Sequence, residues 1–265
     1  MELGGKRALV TGATGGIGKA IARALHAQGA TVLVTGRRAE VLDELAAALG
    51  DRVEALPADL QSAEDVRRLC DRAGDVDVLV ANAGAPGSGT LDEYTTEQID
   101  RVLDVNLRSA IHMTHALLPR MLERRAGHFV YISSISGKVA SARASLYNAT
   151  KFGLRGFSLG LHEDLHGTGV GCTTIFPGFI SDAGMWAEAS LDTPPGAGTK
   201  KPEDVANAVL RALRKNPREI DVAGVMLRSG GWLTGFSPSL VAALQRSGGA
   251  AEVGTRLAEA QRDKR

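Results

Sequence analysis

Four polar residues whose types suit proton transfer occur in the order Asn106, Ser134, Tyr147 and Lys151. Tyr147 and Lys151 are four residues apart on a stretch with a helical pattern, so their side chains share one helix face. There the Lys ammonium can lower the pKa of the Tyr phenol, which is ordinarily about 10. A phenol with a lowered pKa can exchange a proton with a substrate oxygen, which makes Tyr147 a candidate general acid/base. Taken alone, the pair is also compatible with two solvated neighbours on a helix.

A glycine-rich segment near the N-terminus has the features of a phosphate-binding loop. An apolar run at residues 8–10 predicts a buried strand, glycines follow, and apolar residues then recur with helical spacing. Glycine allows a tight turn and close backbone approach, and the start of the helix presents N–H groups and a positive dipole end to an anion. The other interpretation is a glycine-rich loop with no ligand. The residues expected to contact the ligand are Gly12, Thr14, Gly15, Gly16, Ile17 and Gly18.

Together these motifs resemble the short-chain dehydrogenase/reductase family, in its compact single-domain branch. The resemblance covers about residues 5–185. The interval between Ser134 and Tyr147 is the one that the family uses. The matching positions are Thr11, Gly12, Gly16, Gly18, Asp59, Leu60, Asn82, Ala83, Gly84, Asn106, Ser134, Tyr147, Lys151, Pro177 and Gly178.

The resemblance implies a role for each catalytic candidate. Tyr147 donates a proton to the substrate oxygen in reduction and accepts it in oxidation, and Ser134 donates a hydrogen bond to the same oxygen. Lys151 lowers the pKa of Tyr147 and holds the ribose hydroxyls of the cofactor. Asn106 anchors a water that links Lys151 to solvent. Singly, Ser134 is also compatible with a loop hydroxyl, and Asn106 with a mid-helix residue that bonds to the backbone.

The resemblance also implies the remaining cofactor contacts. Asp59 and Leu60 contact the adenine, although Asp59 also suits a plain turn position. Family members hold the nicotinamide carboxamide with a threonine, which Asp182 replaces in this chain, and Ser181 is a possible substitute. The other expected contacts are Asn82, Ala83, Gly84, Tyr147, Lys151, Pro177, Gly178 and Ile180.

The end of the second predicted strand indicates which dinucleotide is preferred. A site that prefers NAD usually has a carboxylate there for the ribose 2′-hydroxyl, whereas this chain has Gly36 followed by Arg37 and Arg38. The guanidinium of Arg37 can bind a 2′-phosphate as a charge-assisted pair. The alternative is that both arginines merely begin the next helix, with Glu40 as a local partner. We therefore expect NADP(H) rather than NAD(H).

Strand-like and helix-like patterns alternate along the chain, which predicts an α/β fold of the Rossmann type. We expect a doubly wound parallel sheet of about seven strands with helices on both faces, and ligands at the carboxyl ends of the strands. The predicted strands are 7–11, 31–35, 52–56, 77–81, 128–133, 170–176 and 219–223, and the predicted helices are 16–29, 38–49, 62–73, 95–125, 144–166 and 202–215. Residues 1–265 are interpreted as one domain, with a divergent segment of weak helical pattern from about residue 224.

Composition narrows the classes of function. The chain has 265 residues, a net charge of +1 and no basic block, so nothing indicates nucleic-acid binding. The two cysteines form no metal or redox spacing, the histidines form no metal pattern, and no metal is expected. The N-terminus has no apolar signal core, and no apolar run reaches the length of a membrane span. These features predict a cytoplasmic protein.

The predicted function is an NADP(H)-dependent oxidoreductase that exchanges a hydride with a ketone or secondary alcohol. The segments expected to line the pocket are small or apolar, which favours an uncharged substrate. Those segments are residues 139–142, Phe179, Met185, Trp186, Trp232 and Leu233, although the tryptophans also suit a core or subunit interface. The alternatives are an NAD(H)-dependent alcohol dehydrogenase of the same family and a nucleotide-sensing protein without turnover. Apolar residues on several faces of helices 95–125 and 144–166 further predict a homodimer or homotetramer.

Overall fold

Short apolar segments form a seven-stranded sheet in which all strands are parallel. The structure is a computed structural model that describes residues 1–194, 196–247 and 250–264. The strand order is β3-β2-β1-β4-β5-β6-β7, so the direction of winding reverses between β1 and β4. Strands β4, β5 and β6 are buried along their whole length, as expected for parallel strands covered on both faces. The strands are β1 (Arg7–Thr11), β2 (Thr31–Thr35), β3 (Val53–Ala55), β4 (Val78–Ala81), β5 (Gly127–Ile132), β6 (Val170–Pro177) and β7 (Glu219–Val222).

Helices occupy the connections between the strands, and three more follow β7. The N-terminus of α3 is capped by Ser62, and that of α4 by a capping box of Thr95 and Gln98. The helices are α1 (Gly16–Ala27), α2 (Ala39–Leu49), α3 (Ala63–Ala73), α4 (Thr96–Leu103), α5 (Ser109–Arg124), α6 (Ser145–Asp164), α7 (Gly184–Glu188), α8 (Pro202–Lys215), α9 (Val225–Thr234), α10 (Pro238–Ser247) and α11 (Ala250–Ala260).

The hydrophobic core lies in two layers, one on each face of the sheet. On one face, Val10 packs with buried residues of α1, α2 and α8, such as Ile21 and Val209. On the other face, Leu9 packs with buried residues of α3, α5 and α6, such as Met113. Neighbouring residues of β1 thus point to opposite layers, as the period of a strand requires. The predicted doubly wound fold is confirmed.

The long helix predicted over 95–125 is divided in the structure. A π-helical turn, Asp104–Arg108, separates α4 from α5. Such turns hold one residue more than an α-helical turn and occur often at functional sites. Here the turn contains Asn106, whose side chain is buried.

The divergent C-terminal segment forms α9, α10 and α11, a more regular structure than its weak pattern indicates. Large apolar side chains on α9, on α10 and on the turn between them face solvent. They include Val225, Leu244 and the pair Trp232 and Phe236, whose tilted rings have their centres 4.7 Å apart. Among the described helices, none combines the length and apolar character needed to cross a membrane.

Candidate active site

A cavity of about 360 Å³ opens at the carboxyl ends of β1, β4, β5 and β6. Because these ends meet at the switch in strand order, loops that are distant in sequence converge there. Most of the predicted site residues line this cavity. They are Gly12, Thr14, Gly15, Gly16, Ile17, Gly18, Arg38, Asn82, Ala83, Gly84, Ser134, Tyr147, Lys151, Pro177, Gly178 and Ile180.

Four predicted residues lie outside the cavity lining. Arg37 and its neighbour Arg38 are both exposed, but of the two it is Arg38 that lines the cavity. Arg38 donates to the Thr14 carbonyl over 3.1 Å. Asp59 accepts from the backbone N–H of Gln61 at 3.1 Å, which is the turn role left open from the sequence. Leu60 belongs to the core. The fourth residue, Asn106, is buried behind the residues that line the cavity.

The loop after β1 is held against the loop after β4. Gly12 has a positive φ of 65°, and a Cβ there would lie 2.8 Å from the Cα of Ala83, so only glycine fits without a shift. The backbone N–H groups of Asn82 and Ala83 each donate to Thr11 Oγ1 over 2.9 Å. These bonds explain why Thr11 and the Asn82 segment occur together in the sequence pattern.

The start of α1 can accept an anionic group. Its N-cap is Gly15, which supplies no side chain to the N–H groups of the first turn. Those groups lie beside the cavity, where Gly15, Gly16 and Ile17 form part of the wall. Free N–H donors and a positive dipole end suit a phosphate. The residues present therefore fit the pyrophosphate of a dinucleotide cofactor.

Ser134, Tyr147 and Lys151 meet deep in the cavity. Ser134 lies two residues after the end of β5, and its Oγ accepts from the N–H of Ser136 at 3.2 Å. Its side chain is close enough to Tyr147 to lower the pKa of the phenol. The Lys151 ammonium lies 5.5 Å from the centre of the Tyr147 ring. It donates to the carbonyl of Ile132 over 3.1 Å, so β5 positions both Ser134 and Lys151.

The electrostatics of this trio differ from the expectation that Lys151 lowers the pKa of Tyr147. Burial raises the pKa of Tyr147 to about 12, and the hydrogen bond with Ser134 offsets only part of that rise. Burial also lowers the pKa of Lys151 to about 8. Desolvation is therefore the largest influence on the pKa of both groups in this geometry. At neutral pH Tyr147 is protonated, which is the form that donates a proton.

Asn106 supports the site from the π-helical turn. Its Oδ1 accepts from the N–H of Ala85 at 2.6 Å, and its Nδ2 donates to the Ala85 carbonyl over 3.0 Å. The same Nδ2 lies 3.4 Å from Thr150 Oγ1, next to Lys151. Asn106 thereby joins the loop after β4 to α6. The water expected between Asn106 and Lys151 stays a prediction.

The outer wall of the cavity agrees with the sequence only in part. Phe179, Met185 and Trp186 line it as predicted. Of residues 139–142, Ser141 alone reaches it, and Leu233 does not. Trp232 was also predicted there and is 72% exposed on α9 instead. Because an isolated tryptophan suits a pocket and a surface patch equally, its type could not decide between them.

The segment after Gly178 does not offer the expected carboxamide anchor. Ser181 Oγ donates to Asp182 Oδ2 over 2.9 Å, and neither residue lines the cavity. Ile180 does line it, as predicted. Sequence reasoning missed Leu257 and Gln261, which reach the cavity from α11 and the turn after it. Their only local signal was a weak helical pattern, because the contact spans most of the chain.

Comparisons with known proteins agree with this geometry. A model of the short chain dehydrogenase family matches residues 6–193. "Ketoacyl reductase HetN" of Nostoc sp. is 36% identical over 227 residues, which cover 83% of this chain and 79% of that protein. A closed form of serine dehydrogenase complexed with NADP⁺ superposes with a TM-score of 0.74 at 34% identity, covering 83% of this chain and 95% of that chain. A variant of actinorhodin polyketide ketoreductase with NADPH gives a TM-score of 0.75 at 31% identity, covering 83% and 96%.

The extent of these matches identifies the protein class. The matched family model spans more than half of the chain, and it includes the glycine-rich loop as well as Ser134, Tyr147 and Lys151. The structural matches share the fold over 83% of this chain and nearly the whole of the matched chains. The chain belongs to the short-chain dehydrogenase family and is an oxidoreductase that uses a nicotinamide cofactor.

Proposed function

We propose that the protein is an NADP(H)-dependent ketoreductase for uncharged, mostly apolar ketones. The observation that carries the proposal is the meeting of Ser134, Tyr147 and Lys151 at one cavity whose other end fits a dinucleotide. When bound, the nicotinamide supplies hydride exchange with the carbonyl carbon. The protein supplies the proton and the stabilisation of charge on the carbonyl oxygen.

Each member of the trio has a task in the reduction. Tyr147 donates its proton to the carbonyl oxygen, since burial keeps the phenol protonated at neutral pH. Ser134 donates a hydrogen bond to the same oxygen and stabilises the charge that develops there. Lys151 stands beside Tyr147 and can hold the ribose hydroxyls. In oxidation of an alcohol the same groups act in the reverse order.

Arg38 supports the preference for NADP(H). It lines the cavity and is oriented by its bond to the Thr14 carbonyl, so the guanidinium is placed beside the phosphate-binding loop. Two of the similar structures contain NADP⁺ or NADPH. We infer that Arg38 recognises the 2′-phosphate. Preference for NAD(H) is the alternative.

The charge of the cavity supports an uncharged substrate. In the described lining, the basic side chains are Arg38 beside the phosphate-binding loop and Lys151, which is bonded to Ile132. A substrate carboxylate would therefore find no cation of its own. This charge distribution favours an uncharged ketone over a substrate that carries a carboxylate, such as an amino acid. A cytoplasmic location and a homodimeric or homotetrameric state stay predictions.

A scan of substrates tests this function. Purified protein is mixed with ketones or secondary alcohols and with NADPH, NADH or their oxidised forms, and the absorbance of the reduced nicotinamide is followed. We expect turnover of apolar ketones with NADPH and slower turnover with NADH. Faster turnover with NADH would overturn the cofactor preference. Binding of a cofactor with no turnover of any substrate would favour the nucleotide-sensing alternative.

A further inference from the structure

The C-terminal helix α11 closes one side of the cavity. Gly254, Leu257, Ala258 and Gln261 recur with the spacing of one helix face. That face contacts the catalytic lobe, since Leu257 and Gln261 line the cavity and Ala258 is 1% exposed. A Cβ on Gly254 would lie 2.8 Å from the carbonyl oxygen of Ala142, so the helix approaches that loop as closely as glycine permits.

An ion pair holds the end of this segment in place. Lys264 Nζ donates to Glu188 Oε2 over 2.5 Å and so links the turn after α11 to α7. Helix α7 carries Met185 and Trp186, which belong to the same wall of the cavity. The segment lies beyond residues 6–193, the part matched by the family model. The family model therefore does not account for the contribution of this segment to the cavity.

The side-chain amide of Gln261 is buried with its hydrogen bonds unmade. Only 3% of the residue is exposed, yet neither its Nε2 nor its Oε1 has a partner among the described residues. The indole Nε1 of Trp186 is also buried and has no hydrogen-bond partner among the described residues. Buried polar groups are nearly always paired, because an unpaired one costs free energy. Three unpaired polar atoms on two residues that line the cavity indicate a place where a ligand completes the bonds.

We propose that Gln261 and Trp186 form a subsite for an uncharged hydrogen-bonding group of the substrate, such as an ester or an amide. The proposal rests on the ketone reduction proposed above. A glutamine amide offers one donor group and one acceptor, and the indole adds a donor, so a neutral carbonyl is bound without a charge. On that wall the carboxylate of Glu188 is already paired with the ammonium of Lys264, so neither group is a free partner for a charged substrate. Leu257, Phe179 and Met185 then contact the apolar part of the substrate.

Two ketones of equal chain length test the subsite. Ethyl 3-oxohexanoate has an ester where 4-nonanone has only methylene groups. Their dissociation constants are measured by calorimetry with an oxidised nicotinamide dinucleotide present, because that form cannot reduce a ketone. We expect the wild-type protein to bind the keto ester about tenfold more tightly, the factor expected for one added hydrogen bond and one buried group satisfied.

The variant Gln261→Leu keeps the volume and removes the polar amide. We expect it to bind the two ketones within about twofold of each other, through weaker binding of the keto ester. Gln245→Leu, the same substitution on α10 outside the cavity lining, is the matched control and keeps the wild-type ratio. Thermal unfolding midpoints show that each variant folds.

The outcomes separate this inference from the proposed function. The subsite is overturned if the wild-type protein binds neither ketone or binds both with equal dissociation constants. It is also overturned if Gln261→Leu keeps the wild-type ratio of the two constants, including by weakening both equally. Turnover is measured separately with the reduced cofactors. A preserved binding preference without turnover would support the subsite and contradict the ketoreductase proposal.

Discussion

The ammonium of Lys138 lies 2.6 Å from Asp221 Oδ1 and joins the loop that follows Ser134 to the edge strand β7. The same ammonium lies 2.9 Å from Glu219 Oε2 and 4.2 Å from the centre of the Phe176 ring. Since Lys138 is 8% exposed, these contacts neutralise a charge that water scarcely reaches. The position of the Ser134 loop therefore depends on two acidic residues at the far edge of the sheet.

Replacing Lys138 with Met should destabilise the fold. The carboxylates lose their common partner, and we expect a loss of about 2–3 kcal/mol near neutral pH, below the usual cost of breaking a buried pair because both carboxylates reach solvent. Burial alone would raise the pKa of Glu219, but bonds from Arg155 and Lys138 lower it below its ordinary 4.5. The contribution of Glu219 is therefore present above pH 4.5 and is lost as the pH falls through the lower folded pKa.

Urea unfolding at neutral and acidic pH measures this effect. The difference between wild type and Lys138→Met should shrink in acid. Lys215→Met, on the exposed end of α8, is the control and should change stability little. A loss of the same size at both pH values would contradict the role assigned to the carboxylates.

Tyr147→Phe should remove catalysis without removing the fold. The variant keeps the ring and deletes the hydroxyl that donates the proton, so turnover should fall about 10²- to 10⁴-fold, the usual contribution of a general acid. Steady-state rates with NADPH measure the loss, and fluorescence titration shows that the cofactor still binds. A rate near that of the wild type would rule out Tyr147 as the acid.

Arg38→Ala should weaken NADPH binding much more than NADH binding. A lost hydrogen bond between charged groups corresponds to about 1.5–3 kcal/mol. Arg37→Ala is the matched control, because Arg37 is adjacent but lies outside the cavity lining. Dissociation constants for both cofactors in both variants decide the matter. If Arg37→Ala weakens NADPH binding more than Arg38→Ala does, the 2′-phosphate contacts Arg37, as the sequence predicts.

Lys151→Met should change stability in a pH-dependent way. Burial lowers the pKa of Lys151 from 10.5 to about 8, so between those values the unfolded chain binds a proton that the folded chain does not. The stability of the wild type relative to the variant therefore rises with pH over that window. Below the window the folded protein bears the cost of a buried charge, about 3 kcal/mol at about 1.36 kcal/mol per pKa unit.

We expect Met at position 151 to be more favourable near pH 7 than near pH 10, by roughly that amount. Both the ammonium at pH 7 and the neutral amine at pH 10 can donate to the Ile132 carbonyl, so the loss of that bond contributes at both values. Denaturant unfolding of both proteins at the two pH values provides the measurement. Equal differences at the two values would show that the amine is not desolvated.

The oligomeric state can be measured directly. Met113, Leu117 and Leu154 belong to the core, whereas Phe152 on α6 remains 37% exposed and Leu122 on α5 is equally exposed. The apolar positions on these helices thus extend beyond the part that the core buries. We expect at least a homodimer through this surface. Light scattering should give a mass well above 27.7 kDa, and a mass equal to one chain would disprove the dimer.

Local patterns predicted most of the fold and the centre of the site. Strands such as Arg7–Thr11 and the glycine-rich loop have signals within a few residues, and Tyr147 and Lys151 share a helix face by spacing alone. Desolvation of Tyr147 could not be predicted from spacing, because it depends on everything packed around the phenol. The same limit applies to Gln261, which meets residues far away in the sequence.

The π-helical turn at Asp104–Arg108 has a consequence for changes in chain length. Each residue rotates an α-helix by about 100°, so the extra residue sets α4 and α5 out of angular phase with each other. One deletion in the turn would bring both helices into a single continuous phase and turn either Val102 or Met113 away from its buried neighbours. Single-residue insertions and deletions in this stretch should therefore be tolerated less well than in a surface loop, although its sequence looks like that of an ordinary helix.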